Sequence, residues 1–360
     1  MTLEPKPYIA TLADYPLVEP PEDAENIVNL SANEHWQGPS DAVKNAAASA
    51  LLSAHLYPET SAHALRDAIS KCHAIDADRI VCANGSSELI HLICKIYCDT
   101  EDEIIVGEYG YLYFRTAGES CGASVVSPNT GQLKHDIDAI LDKVTPRTRV
   151  AFLDNPQNPI GTWLAQEQIN RLRTRLPEDV LLVIDSAYAE YVDDDDYEAG
   201  INLVNRFDNC VMLRTFSKIY GLAGLRIAWA YAPAEIVKLM HRVRQPNNLS
   251  AVSLHAAKVA IQEQSLVMSR RKENAFFRDF LVNSLNDLGF NVIPSETNFI
   301  LTALPHNAPF TPSEFAKRLE AAGVLIRPMD AYQLPDYVRI TVGPRAWTQR
   351  LIKETRRLLS

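Results

Sequence analysis

Lys218 stands in the run Arg214-Thr215-Phe216-Ser217-Lys218-Ile219-Tyr220-Gly221-Leu222-Ala223-Gly224-Leu225-Arg226, directly after the apolar stretch Val211-Met212-Leu213. A lysine at the carboxyl end of a core strand loses solvation that keeps it charged, so its amine becomes a nucleophile able to form an imine with an aldehyde. Thr215, Ser217 and Arg226 add hydroxyl donors and a forked cation, the groups that bind a phosphate monoester. The run therefore suits phosphate-anchored imine chemistry. Taken alone, a Ser-Lys pair reads equally as a polar surface loop, and other segments must decide.

Asn84-Gly85-Ser86-Ser87-Glu88 has the pattern of a strand-to-helix junction. Free backbone N–H groups and the helix dipole there make an anion seat, although a glycine turn with a capping serine is also the ordinary way to begin a helix. Asp185 closes the run Val180-Leu181-Leu182-Val183-Ile184, placing a carboxylate at the tip of a core strand, where open α/β sheets bind ligands. A buried carboxylate wants a cation, and a protonated pyridine nitrogen is one; a carboxylate facing it keeps the ring an electron sink. Tyr188, three residues on, can aim its hydroxyl at the same ring, while capping the next helix is the structural alternative for Asp185. Asn155-Pro156-Gln157-Asn158-Pro159-Ile160-Gly161 follows another core strand as a rigid turn, able to fix the Asn158 amide toward a ligand oxygen or to serve only as a turn.

Short apolar runs position these groups. Arg79 to Ala83, Ile104 to Val106, Ser124 to Val126, Val150 to Leu153, Val180 to Ile184, Val211 to Leu213 and Ile227 to Ala230 read as strands, several of them continuous rather than alternating. That texture suits a mostly parallel sheet covered on both faces, an α/β architecture flanked by helices such as Ser87 to Tyr97. Beyond about residue 250 come two amphipathic helices, Ser265 to Leu288 and Arg345 to Leu359, with short strands between them, and a capping box at Thr311-Pro312-Ser313-Glu314. The expected division is an N-terminal arm (1–35) that belongs to the small domain and a dimer contact, a large ligand-binding domain (36–250), and a smaller α+β domain (251–360).

A chain of 360 residues with 47% apolar content can bury such a core. Its formal net charge of -10 argues against nucleic acid or an anionic membrane as the main partner. No apolar stretch approaches the roughly 20 residues of a membrane span and the N-terminus has no signal pattern, so a cytoplasmic protein is expected. The six cysteines lack paired metal-ligand spacing and read as core thiols, with no metal expected. The Asp193 to Asp196 run reads as a solvated loop.

The Asp185-to-Tyr188 segment, the Asn-Pro-x-Asn-Pro-x-Gly turn and Ser217-Lys218 with its glycines and Arg226 together resemble the fold type I pyridoxal-phosphate aminotransferases of classes I and II. Within that group the chain is most similar to histidinol-phosphate aminotransferases. The likeness begins at Leu30-Ser31-Ala32-Asn33-Glu34, passes through Leu56-Tyr57-Pro58-Glu59 and Ser295-Glu296-Thr297-Asn298-Phe299-Ile300-Leu301, and ends at Val338-Arg339-Ile340-Thr341-Val342-Gly343, nearly the whole chain.

The resemblance implies pyridoxal 5'-phosphate as cofactor and a role for each residue. Lys218 forms the imine and shuttles the proton at the substrate α-carbon. Asp185 pairs with the pyridine nitrogen, and Asn158 and Tyr188 bond the phenolic oxygen. Ser86, Ser87, Thr215, Ser217 and Arg226 hold the phosphate, with Tyr57 reaching it from the neighbouring subunit of a homodimer. Tyr111 stacks on the ring, with Tyr109 and Tyr113 as alternatives. Arg339, with Arg327 as a second cation and Asn33 nearby, binds the substrate's anionic group. The partners so implied are a small amino donor and a 2-oxo acid acceptor.

The sequence departs from the family at Ser87, where an acidic residue is usual, at Ser186, where a glutamate is usual, and at Ile160, where a threonine is usual. These departures leave open an aromatic or specialised-pathway transaminase. A decarboxylase or other lyase on the same fold is a further alternative. A DNA-binding sensor is disfavoured by the acidic charge and the absence of a basic helix-turn-helix extension.

Overall fold

The computed structural model describes residues 3–12 and 27–360; residues 1, 2 and 13–26 of the expected N-terminal arm lie outside the described residues. Strands are numbered along the chain. The first, β1 (Val28–Asn29), pairs in parallel with β11 (Val324–Leu325). The main sheet contains β2 (Ile80–Ala83), β3 (Glu103–Val106), β4 (Ser124–Val126), β5 (Thr148–Asp154), β6 (Leu181–Asp185), β7 (Cys210–Thr215) and β8 (Ala228–Tyr231), in the order β2-β8-β7-β6-β5-β3-β4. Each coincides with one of the seven apolar runs. All pairings are parallel except those of β8, which runs antiparallel to β2 and β7.

The continuous apolar runs have a direct structural reason. Ala151, Leu153, Leu182, Ile184, Cys210 and Met212 enter one apolar cluster, while Val150, Phe152, Leu181, Val183, Val211 and Leu213 enter the cluster on the opposite face. Because side chains alternate along a strand, a sheet covered on both sides needs apolar residues at every position. Each fully buried Leu, Ile or Val contributes about 1.5–3 kcal/mol.

A second sheet, β12 (Arg327–Pro328), β13 (Tyr337–Thr341), β10 (Phe299–Ala303) and β9 (Asn291–Val292) in that order, is antiparallel throughout. Helices Gln264–Asn286, Pro312–Ala321 and Arg345–Leu359 bury Leu281, Leu285, Phe315, Leu319 and Leu351 in its cluster. Thr311 caps the helix Pro312–Ala321 through the Glu314 N–H, and Glu314 returns a bond to the Thr311 N–H, completing the expected capping box.

The boundary expected at residue 251 falls just before the helix Ala251–Gln262, whose Leu254, Ala256, Ala257, Ala260 and Ile261 join the apolar cluster of the main sheet. That helix packs on Asp41–Ala50 and His63–His73. Its core contacts therefore place it with the main sheet. The N-terminal segment is shared: Pro7–Ala10 lies on the helix Leu112–Ser120, whereas Val28–Asn29 joins β11. Among the described residues no helix is long and apolar enough to cross a membrane.

Candidate active site

A cavity of about 350 Å³ opens at the carboxyl ends of β5, β6 and β7, within the range of small-ligand sites. Ser86, Ser87, Tyr111, Asn158, Asp185, Tyr188, Thr215, Ser217, Lys218 and Arg226 all line it. Residues from five separate stretches of sequence thus line one cavity. The parallel strands bring them there because each ends at the same edge, with Asp154 and Asp185 in register on β5 and β6.

At one end the donors converge. Ser86 opens the helix Ser86–Tyr97 behind Gly85, which has φ +82, and a Cβ on Gly85 would lie 2.4 Å from Arg226 Nη2. Glycine is required twice over, by the left-handed backbone and by the guanidinium lying against the turn. The Thr215 hydroxyl donates to Ser217 Oγ at 3.0 Å, and Arg226 Nη1 reaches the same oxygen at 3.5 Å. Two hydroxyls, a guanidinium and a helix N-terminus make a seat for a dianion.

The middle of the cavity holds Asp185 and Lys218. Asp185 accepts the Ala187 N–H at 3.1 Å, so it caps the local turn while also facing the cavity. Burial, followed by the adjacent Asp154 carboxylate, pushes its pKa up to about 7, and Lys218 is the last and smallest influence on it. This carboxylate has room for a cation. Lys218 moves the other way: burial first, then Arg339 and Arg226, lower its pKa to about 8. Its Nζ lies 5.5 Å from the Tyr188 ring centroid.

The opposite wall is a network. Asn33 Nδ2 donates to the Tyr188 hydroxyl at 3.0 Å, and the Asn33 N–H donates to Thr341 Oγ1 at 3.0 Å. Asn33 is almost wholly buried behind Tyr188 and is not part of the cavity wall; it orients the phenol. Burial raises the Tyr188 pKa to about 12. Asn158 donates its N–H to Asp154 Oδ2 at 2.8 Å and accepts Arg339 Nη1 on Oδ1 at 2.6 Å, in a turn whose two Asn–Pro bonds are cis. Arg339 Nη2 donates to Ser31 O at 2.9 Å, and Arg327 is its register partner on β12.

Of the three tyrosines at 109–113, Tyr111 is the one on the wall, set edge-on against Phe114 at 5.6 Å between centroids. Tyr57 lies away from the cavity and is 88% exposed. The departures at Ser87, Ser186 and Ile160 sort by position. Ser87 lines the cavity, Ser186 Oγ donates to Ala199 O at 2.6 Å, and Ile160 is buried with Leu301, Met329, Tyr332 and Leu334. Asp154 and His135 went unnoticed in the sequence, although Asp154 ends an apolar run in the same way as Asp185. His135 Nε2 lies 3.1 Å from Asp154 Oδ1.

Residues 25–354 match the family described as aminotransferase class I and II. The chain belongs to this family and is a pyridoxal-phosphate-dependent transaminase, which moves amino groups between amino compounds and 2-oxo acids. Within the family its likeness is to histidinol-phosphate aminotransferases. That of Granulibacter bethesdensis is 43% identical over 94% of this chain and 89% of its own, and that of Maricaulis maris is 38% identical over 98% of both. The crystal structure of the enzyme from Sinorhizobium meliloti, in complex with pyridoxal-5'-phosphate, superposes with a TM-score of 0.89 at 25% identity, covering 98% of this chain and 96% of that one.

The residues present fit that cofactor. The Gly85–Arg226 cradle with its hydroxyls suits the phosphate, the buried Asp185 suits a protonated ring nitrogen, and Lys218, with its lowered proton affinity, suits the aldehyde.

Proposed function

We propose that the chain transfers the amino group of histidinol phosphate to a 2-oxo acid, with glutamate as the returning amino compound. What supports this reading is that the chain is about 40% identical to histidinol-phosphate aminotransferases over nearly its full length, and that Arg339, register partner of Arg327, lies outside the cavity lining yet near enough to Lys218 to lower its proton affinity and bonded to Asn158 of the wall. A phosphate ester and a carboxylate are both anions that a guanidinium fork binds in two-pronged fashion.

When bound, pyridoxal phosphate supplies an aldehyde for the amine and a protonated ring that draws electrons from the α-carbon. Ser86, Ser87, Thr215, Ser217 and Arg226 would hold its phosphate, and Tyr111 would lie against the ring. Asp185 would keep the ring nitrogen protonated, while Asn158 and Tyr188 would offer the amide and the phenol to the phenolic oxygen. Lys218 Nζ would supply the amine that holds the cofactor's aldehyde and, when free, the general base that carries the proton at the substrate α-carbon. Arg339 orients the substrate through its anionic group, with Arg327 adding positive charge, and Asn33 holds Tyr188.

The same reading makes the enzyme a cytoplasmic homodimer in which Tyr57, exposed in the single chain, reaches the partner's phosphate site. It divides the chain into an N-terminal arm (1–35), a large cofactor-holding part (36–250) and a small part (251–360), with the helix Ala251–Gln262 at the junction packed into the main-sheet cluster.

The experiment is to add histidinol phosphate, phenylalanine, tyrosine, glutamate and aspartate one at a time, without keto acid, and to follow the visible band of the bound cofactor. Histidinol phosphate and glutamate are expected to discharge it fastest. Faster discharge by phenylalanine or tyrosine would replace this reading with an aromatic transaminase, and carbon dioxide release without keto acid would replace it with a decarboxylase.

A further inference from the structure

The cavity lining carries two acids that the proposed cofactor contacts do not use, Glu34 and Asp154, and the second lies beside Asp185. Asp154 ends β5 directly beside Asp185 on β6, the two being Cα partners on parallel strands that run about 4.8 Å apart. Both side chains line the cavity, and both residues are nearly wholly buried, 3% and 5% exposed. Burying two carboxylates side by side is costly unless something nearby carries compensating positive charge or a proton.

Asp154 is held firmly. Its Oδ2 accepts the Asn158 N–H at 2.8 Å, and its Oδ1 lies 3.1 Å from His135 Nε2, which is also 2.9 Å from the Asp154 carbonyl oxygen. The imidazole is itself walled in, since a Cβ on Gly107 would stand 2.3 Å from His135 Cε1. Among the described residues His135 Nδ1 is buried without a partner, and the polar contacts of the ring there are to Asp154. A residue serving only to brace the Asn158 turn could be an asparagine; the second carboxylate and its imidazole clamp are not needed for that bond.

We propose that Asp154, clamped by His135, is a positioning residue for the reaction, a second carboxylate that acts through Asp185 to hold positive charge on the ring Asp185 faces. The raised proton affinity of Asp185 is in keeping with this, Asp154 being its largest influence after burial. The charged and titratable groups around the pair are His135, Lys218, Tyr188, Tyr332 and Arg339. Of these, His135 alone makes a hydrogen-bond-length contact with the Asp154 side chain.

The inference rests on the reading that Asp185 faces the ring nitrogen, and the test separates the two. In Asp154→Asn the Asn158 N–H keeps an acceptor, while the charge and the oxygen that faces His135 are lost. With pyridoxal phosphate bound, the pH midpoint of the visible band is expected to fall by about one unit, because removing a nearby negative charge destabilises the protonated chromophore. A band with an unmoved midpoint would overturn the role of Asp154 and leave the function standing. No band in the wild-type protein would overturn the function itself. If the variant does not fold, carboxyl-carbon NMR of the cofactor-free wild type decides: two titration steps more than about a unit apart mark an interacting pair. Two superimposed steps would refute the proposal.

Discussion

At Lys218 and Asp185 the same burial removes charge from a base and from an acid, so the two groups give opposite pH signatures. Capture of the cofactor aldehyde requires the neutral amine, and its rate is expected to rise with pH through about 8, where Lys218 loses its proton. A midpoint near the 10.5 of a solvated lysine would contradict the buried setting. Lys218→Ala is expected to cut turnover by at least about 10⁴-fold, since it removes nucleophile and general base together. It should nonetheless retain cofactor held through the phosphate, measurable by fluorescence titration. For Asp185 the folded chain holds the extra proton between 3.8 and about 7, so its contribution makes the cofactor-free protein lose stability as pH rises through that window. In Asp185→Asn that loss should vanish, and melting temperatures across the window would show it. The site was legible at these positions because a charged residue ending an apolar run stands out in sequence. His135 was not, since its meaning comes from a contact 19 residues away that no local pattern announces.

The elements were legible wherever one face or both had to be apolar. The seven runs became the seven strands because a doubly covered sheet excludes polar residues over several consecutive positions. The helix Ala251–Gln262 was not legible as part of the main-sheet core, as helical periodicity reveals that a face is buried but not which sheet buries it. The helix packs on Asp41–Ala50, and its alanines at 256, 257 and 260 enter the main-sheet cluster, a tertiary choice. Two element-level substitutions test the account. Gly85→Ala would drive a Cβ into Arg226 and should weaken cofactor binding about as much as Arg226→Ala, a loss of about 1.5–3 kcal/mol for a charged hydrogen bond. Equal affinity in Gly85→Ala and wild type would mean that the cradle does not matter. Thr311→Ala removes a cap far from the cavity, and should cost about 1 kcal/mol in denaturant titration while leaving cofactor affinity unchanged.

For the whole molecule, the segment from Leu51 to Tyr57 leaves Leu51, Leu52, Leu56 and Tyr57 more than half exposed, the behaviour of a surface that another chain covers. In sedimentation the protein should run at twice its 40.2 kDa, and Leu52→Asp should shift it toward the single-chain mass with weaker cofactor binding. A wild-type protein that sediments as one chain would remove Tyr57 from the site. Arg339 also acts at this scale, for its guanidinium joins three distant stretches: it grows from β13, binds the main-sheet turn at Asn158, and binds the chain before the first helix of the main sheet at Ser31. A long side chain so tethered has already surrendered about 2 kcal/mol of rotamer freedom when the protein folds. An arriving anion finds the fork immobilised, so its capture should release heat with little entropic penalty from the protein, a balance that calorimetry would read directly.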